Sequence, residues 1–184
     1  MLGLLARFTL VLGALGTLPA CSDMISWQEE VKLNDGRVII VTQKRRCDGA
    51  YNGDSYSKCI PREAWLTVKL PELGKEEITW NARLKPRVLN MHQGQLYMVG
   101  VPPTEREFEF YGKPQPYYLG FRLERGDWLQ IAFKEIPEAV YDTNLLIDLP
   151  SRSSKFISIG QKNEETGSGA YDLDVKRIDP KIRW

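Results

Sequence analysis

Histidine is almost missing from this chain: His92 stands alone among 184 residues. Nucleophilic triads need an imidazole that a second group orients inside a sheltered pocket. His92 sits beside Gly94 in a turn-forming stretch, where an imidazole is solvated. No G-x-S-x-G elbow, H-E-x-x-H helix or phosphate-binding glycine loop occurs either, so no catalytic residue is assigned and the chain is not expected to be an enzyme. Charge of one sign is not in excess. Arg7 is the only charged residue among the first twenty, so 24 of the 25 basic residues stand against 24 acidic ones in the remainder. That balance argues against nucleic acid as a partner, which calls for a clear basic excess. Cysteine is scarce and odd in number, at Cys21, Cys47 and Cys59. Without a C-x-x-C knuckle or a second histidine, neither a metal site nor a cofactor is expected.

What is present starts with an export signal. Arg7 precedes an uncharged run, Phe8 to Ala20, rich in Leu, Val, Gly and Ala. A positive start followed by an apolar stretch of this length reads as a signal peptide. It falls short of the roughly 20 residues that a spanning helix needs. Leu18-Pro19-Ala20-Cys21 resembles the lipobox of bacterial lipoproteins. The resemblance implies that residues 1–20 are removed and that Cys21 carries acyl chains, palmitate among them, on its sulfur and new amino terminus. Ser22, rather than Asp, follows the cysteine, which by the same resemblance implies sorting to the outer membrane, facing the periplasm. Plain secretion with a cut after Gly16 is the alternative.

With Cys21 lipidated, Cys47 and Cys59 are left as one pair in an oxidising compartment, which favours a disulfide. Eleven intervening residues, two of them Gly, allow the loop to close. Loop-entropy arguments give such a bridge about 3 kcal/mol. Two free buried thiols are the alternative.

Beyond the leader the chain is long enough for one domain with a true core. The domain is expected over residues 27–184, joined to the lipid by a tether over 21–26. Period-two runs dominate. Ile25, Trp27, Glu29, Val31 and Leu33 share one face of a strand, and Ser26, Gln28, Glu30 and Lys32 the other. Asn34-Asp35-Gly36 separates that run from Arg37 to Gln43, a hairpin signature. His92-Gln93-Gly94 and Arg125-Gly126-Asp127 repeat the device. Other strand-like runs are 64–70, 77–84, 87–91, 95–101, 117–124, 128–134, 156–160 and 171–178. Pro102-Pro103 and Pro114-x-Pro116 bracket a connection or short edge strand. A short helix is expected within 135–147, starting at Pro137. The fold class is mainly β: antiparallel hairpins forming a sandwich or curled sheet, with at most one or two short helices.

The opening Trp27-x-Glu29-Glu30-Val31-x-Leu33-x-Asp35-Gly36-Arg37-x-Ile39 resembles that of a group of uncharacterised lipoproteins of Gram-negative bacteria. Tyr111-Gly112-x-Pro114-x-Pro116-Tyr117, Phe121-Arg122 and Gly126-x-Trp128 are similar too. The resemblance implies an exported β-rich protein and brings no activity with it.

Four further groups are candidates for chemistry. Glu29 and Glu30 point to opposite faces of a strand and cannot act together as a glycosidase pair; Asp142 and Asp148 are the other carboxylates considered. Asp48, Asn52 and Asp54 offer oxygen ligands, but their spacing is that of ordinary turns rather than an EF-hand. Lys44-Arg45-Arg46 is the one tight basic run. It is expected to be solvated at a hairpin end, although each charge would contribute about 1 kcal/mol beside an anionic membrane. Phe108, Phe110, Tyr111, Tyr117 and Tyr118, flanked by prolines, make a recognition surface or, equally, an aromatic ladder in the core. The leading expectation is a lipid-anchored, non-catalytic binding or scaffolding protein of the cell envelope, held to the membrane through Cys21 and able to meet an envelope protein. A carboxylate-dependent glycan hydrolase and an inhibitor or immunity-type lipoprotein are the alternatives.

Overall fold

The computed structural model describes residues 22–48, 60–147, 150, 155–165 and 176–183. Strands β1 (Ser22–Lys32), β2 (Val38–Asp48), β3 (Ile60–Leu70), β4 (Lys75–Ala82) and β9 (Phe156–Ile157) form a five-stranded sheet in the order β4-β3-β2-β1-β9. Strands β5 (Lys85–His92), β6 (Gln95–Val101), β7 (Leu119–Glu124) and β8 (Asp127–Ile131) form a four-stranded sheet in sequence order. All pairings are antiparallel except β1 with β9. The mainly β expectation therefore holds, as two sheets over a shared core. Val31, Val41, Leu66 and Trp80 come from the first sheet, and Leu89, Met98 and Phe121 from the second. The rings of Trp80 and Phe121 meet edge to face at 5.5 Å, a preferred aromatic geometry.

The two sheets differ in how many of their faces are dry. β2 alternates buried and wet positions from Val41 onward, as one covered face requires. β6 is buried from Leu96 through Val101. Its outer residues Tyr97, Val99 and Val101 pack under Ile136, Val140, Tyr141 and Ile178 from the last third of the chain. A strand covered on both faces reads as a continuous apolar run, and Leu96 to Val101 does. Gly120 on β7 marks how closely that cover approaches. A Cβ there would lie 2.6 Å from Cγ1 of the buried Ile136 and nearer still to its Cδ1. Gly120→Ala is expected to lower stability by about 1–3 kcal/mol through overpacking, read as a lower thermal midpoint; an unchanged midpoint would contradict this packing.

Hairpin chemistry follows the expectation. Gln93 and Gly94 have φ of 50° and 76°, and Arg125 and Gly126 of 50° and 88°. Positive φ at both central residues is the type I′ signature, which matches strand twist.

Four local expectations are corrected. Residues 22–26, expected as tether, are strand, with Met24 opposite Arg46 and Ser26 opposite Lys44; any link to Cys21 is therefore very short. The proline-bracketed segment holds helix α1 (Glu105–Phe110). Thr104-x-x-Glu107 is the capping-box spacing, and the Thr104 hydroxyl donates to the Glu107 carboxylate. Residues 135–147 contain no regular helix, only single 3-10 turns at Phe133–Glu135 and Glu138–Val140. There Ile136 and Val140 are both drawn onto β5–β8, so packing overrides helical propensity. The run 156–160 is strand only to Ile157 and then turns into helix α2 (Ile159–Glu165). Of the run 171–178, residues 171–175 lie outside the described residues, while Ile178 is in the core.

Candidate binding cleft

Alternation along β1 and β2 carries charge into the interior. Trp27, Glu29 and Val31 point inward from β1, with Leu33 just beyond its end, and Val41, Gln43, Arg45 and Cys47 point inward from β2. Glu29, Gln43 and Arg45 are buried at the end of the core that the 144–147 stretch closes. Glu29 accepts from the Gln43 amide through one oxygen and from the Leu146 N–H, at 3.0 Å, through the other. That second oxygen also meets the Lys162 ammonium from α2, which donates to the Asn144 carbonyl at 2.7 Å. Arg45 donates to the carbonyls of Ile147 at 2.8 Å and Leu146 at 2.9 Å. Its guanidinium lies 4.8 Å from the Trp27 ring centroid, within cation–π range. Burial pushes the Lys162 pKa below the ordinary lysine value, against the opposing pull of Glu29. Buried charges survive only when paired and hydrogen-bonded. Glu29 and Lys162 meet that condition together, Arg45 is held by backbone carbonyls and the Gln43 amide, and the network clamps the 144–147 stretch and α2 onto the first sheet.

Three asparagines form the adjoining wall. Asn34 in the first turn accepts from the Met91 N–H at 3.2 Å and donates to the Ala139 carbonyl at 3.0 Å. Asn90 on β5 accepts from the Asn34 N–H at 3.0 Å and donates to the Asp142 carbonyl at 3.2 Å. Asn144 accepts from the Leu89 N–H at 2.9 Å and donates to the carbonyls of Leu89, at 2.7 Å, and Lys32, at 3.0 Å. Side-chain amides thus do at the β5 edge what a further strand would do. Asn144→Ala is expected to leave the Leu89 N–H unpaired and to lower stability by about 1–3 kcal/mol. Faster amide exchange at Leu89 than in the parent is the accompanying readout, and unchanged exchange would contradict the role.

Between these two networks lies an open cleft of about 860 Å³. Lys32 to Asn34 form one side, the 142–147 stretch the floor, and Ile159, Lys162, Lys176 and Arg177 the rest. Its volume falls in the range of small-ligand sites. Apolar lining from Leu33, Leu145 and Leu146 alternates with charge. Arg177 pairs with Asp142 at 2.7 Å. Lys32 and Lys176 are exposed on the rim and make no ion pair among the described residues.

The residues singled out from sequence are mostly elsewhere. Cys47 is buried and disulfide-bonded; Cys59, its expected partner, and Cys21 lie outside the described residues. The five aromatics do not share one exposed surface. Phe108 and Tyr118 are buried, Tyr111 and Tyr117 half-buried, and Phe110 is exposed with the Arg83 guanidinium 4.3 Å from its centroid. Tyr117, whose hydroxyl donates to the Pro102 carbonyl, has its pKa pushed up to about 12 by burial. Tyr118 stacks on Phe133 at 5.9 Å, and Phe133 continues to Tyr141 at 5.7 Å. The set is largely a ladder inside the fold. His92 ends β5 at the Gln93-Gly94 turn, away from the cleft lining. Asp48 pairs with Arg62 at 2.6 Å, and Arg62 reaches Glu107 at 3.1 Å, tying α1 to β3. Asn52, Asp54 and Asp148 lie outside the described residues. The basic run is not uniformly solvated: Lys44 is exposed, Arg46 pairs with Glu63, and Arg45 is interior because it falls on the inward phase of β2.

Comparison with family models, with curated proteins and with solved structures finds no match to this chain.

Proposed function

We propose that this protein is a lipid-anchored component of the bacterial cell envelope that binds a partner in its cleft and catalyses no reaction on it. In this reading Cys21 is the acylated mature terminus, the address is the periplasmic side of the outer membrane, and Cys59 is the partner of Cys47. One observation carries the binding assignment: the buried ionisable groups around the cleft are spent on holding its walls. Glu29 is shared among Lys162, Gln43 and the Leu146 N–H, and Arg45 among backbone carbonyls. A general acid or base needs access to its substrate and a pKa near the working pH. A cleft with hydrogen-bonded walls, some apolar lining and two exposed rim lysines suits recognition instead.

Complementation of a deletion strain at matched expression tests it. Lys32→Glu combined with Lys176→Glu should reproduce the deletion phenotype while the protein keeps its thermal midpoint, and His92→Ala should behave as the parent. Loss of function in His92→Ala at unchanged stability, with the rim variant active, would overturn the reading in favour of an enzyme.

A further inference from the structure

Over β5 and β6 the second sheet is covered on both faces, though Leu129 on β8 is exposed, whereas the outer face of the first sheet carries no covering layer among the described residues. Period two sends Met24, Ser26, Gln28, Glu30 and Lys32 outward from β1, and Val38, Ile40, Thr42, Lys44 and Arg46 outward from β2. Six large hydrophobic residues are notably exposed among the described residues. Four of them, Met24, Val38, Ile40 and Phe156, belong to this face, at 42% to 56% exposure. Phe156 joins it through its pairing with Gln28. Half-buried Trp65 on β3 shares the face opposite Lys44, whose ammonium lies 5.6 Å from the ring centroid.

We infer that this outer face of the β4-β3-β2-β1-β9 sheet lies against the phospholipid headgroups beside the anchor. The inference rests on the proposed acylation of Cys21. Strand β1 starts at Ser22, the very next residue, so a lipid at Cys21 leaves no spacer to lift the domain away from the bilayer. Strands of 11 residues extend roughly 35 Å at about 3.3 Å per residue, and the apolar residues are spread along that length, Met24 at the anchor end and Val38 at the far end. They are interleaved with Gln28, Thr42 and Thr67 rather than massed into one patch. Protein interfaces concentrate their apolar anchors at a desolvated centre. A headgroup layer accepts single apolar side chains, a tryptophan and nearby lysines together. Lys44, which the cleft does not use, finds a role here beside anionic lipid, while Arg46 is already paired with Glu63 on the same face.

The test uses the intact protein isolated from its own envelope, reconstituted in phosphatidylethanolamine–phosphatidylglycerol vesicles with and without brominated acyl chains. Brominated lipid should quench the tryptophan emission of the parent, and Trp65→Phe should remove most of that quenching. Val38→Glu with Ile40→Glu should reduce it several-fold while the protein still floats with the vesicles. Acylated protein that floats yet shows no Trp65-dependent quenching would overturn the face and leave the anchor standing. Unacylated protein that floats and is quenched would keep the face and overturn the anchor. Unacylated protein that does not float would overturn both.

Discussion

Replacing Glu29 with alanine is expected to lower the unfolding free energy by about 3–5 kcal/mol, the usual loss when one partner of a buried ion pair is removed. The variant strands three groups at once. The Lys162 ammonium loses its carboxylate, and the Leu146 N–H and the Gln43 amide lose their acceptor. Loosening of α2 and of the 144–147 stretch should follow, because Lys162 and the Leu146 N–H both end on Glu29, although the bonds from Arg45 and Asn144 remain. Glu29→Gln keeps the shape and a carbonyl oxygen for Leu146 but no charge for Lys162, so its loss should be smaller. Chemical denaturation of the parent and both variants checks the order. Equal midpoints for the parent and Glu29→Ala would contradict the clamp.

Breaking the disulfide at Cys47 has the next largest expected effect. Cys47 is buried near the end of β2, where the register with β3 shifts between Arg46 and Cys47. If it closes the loop to Cys59, Cys47→Ser should cost about 2–4 kcal/mol, chiefly by releasing the unfolded chain. The sheet should persist, since Trp27, Val41 and Leu66 pack independently of the sulfur. Peptide mapping without reduction should recover one cross-linked species joining Cys47 to Cys59. A bridge from Cys47 to Cys21 would contradict both this pairing and acylation of Cys21.

Strands and turns were legible wherever one physical rule governed a segment. Alternation along Ile25 to Leu33 assigned the inward face of β1 correctly, Glu29 included. The Gly-containing turns located three hairpins because positive φ has few tenants. Legibility failed where distant segments decide the outcome. Arg45 looks solvated within Lys44-Arg45-Arg46. Only its phase on β2, shared with Val41 and Gln43, shows that it must enter the core and meet the carbonyls of Leu146 and Ile147. That signal was available in the same alternation. The roles of Asn34, Asn90 and Asn144 were not, because local spacing makes each an ordinary turn or strand residue. Their partners lie more than 50 positions away. Helix α1 was hidden by its prolines, although Thr104 and Glu107 stood at capping distance.

The proposed anchor would set the place of both the cleft and the outer sheet face, and the mass of the intact protein isolated from its native membrane tests it most directly. The account predicts a chain beginning at Cys21, with acyl chains on its sulfur and amino terminus, and Cys21→Ala should move the protein out of the membrane fraction. A mature chain beginning elsewhere, or one beginning at Cys21 without acyl mass, would contradict it.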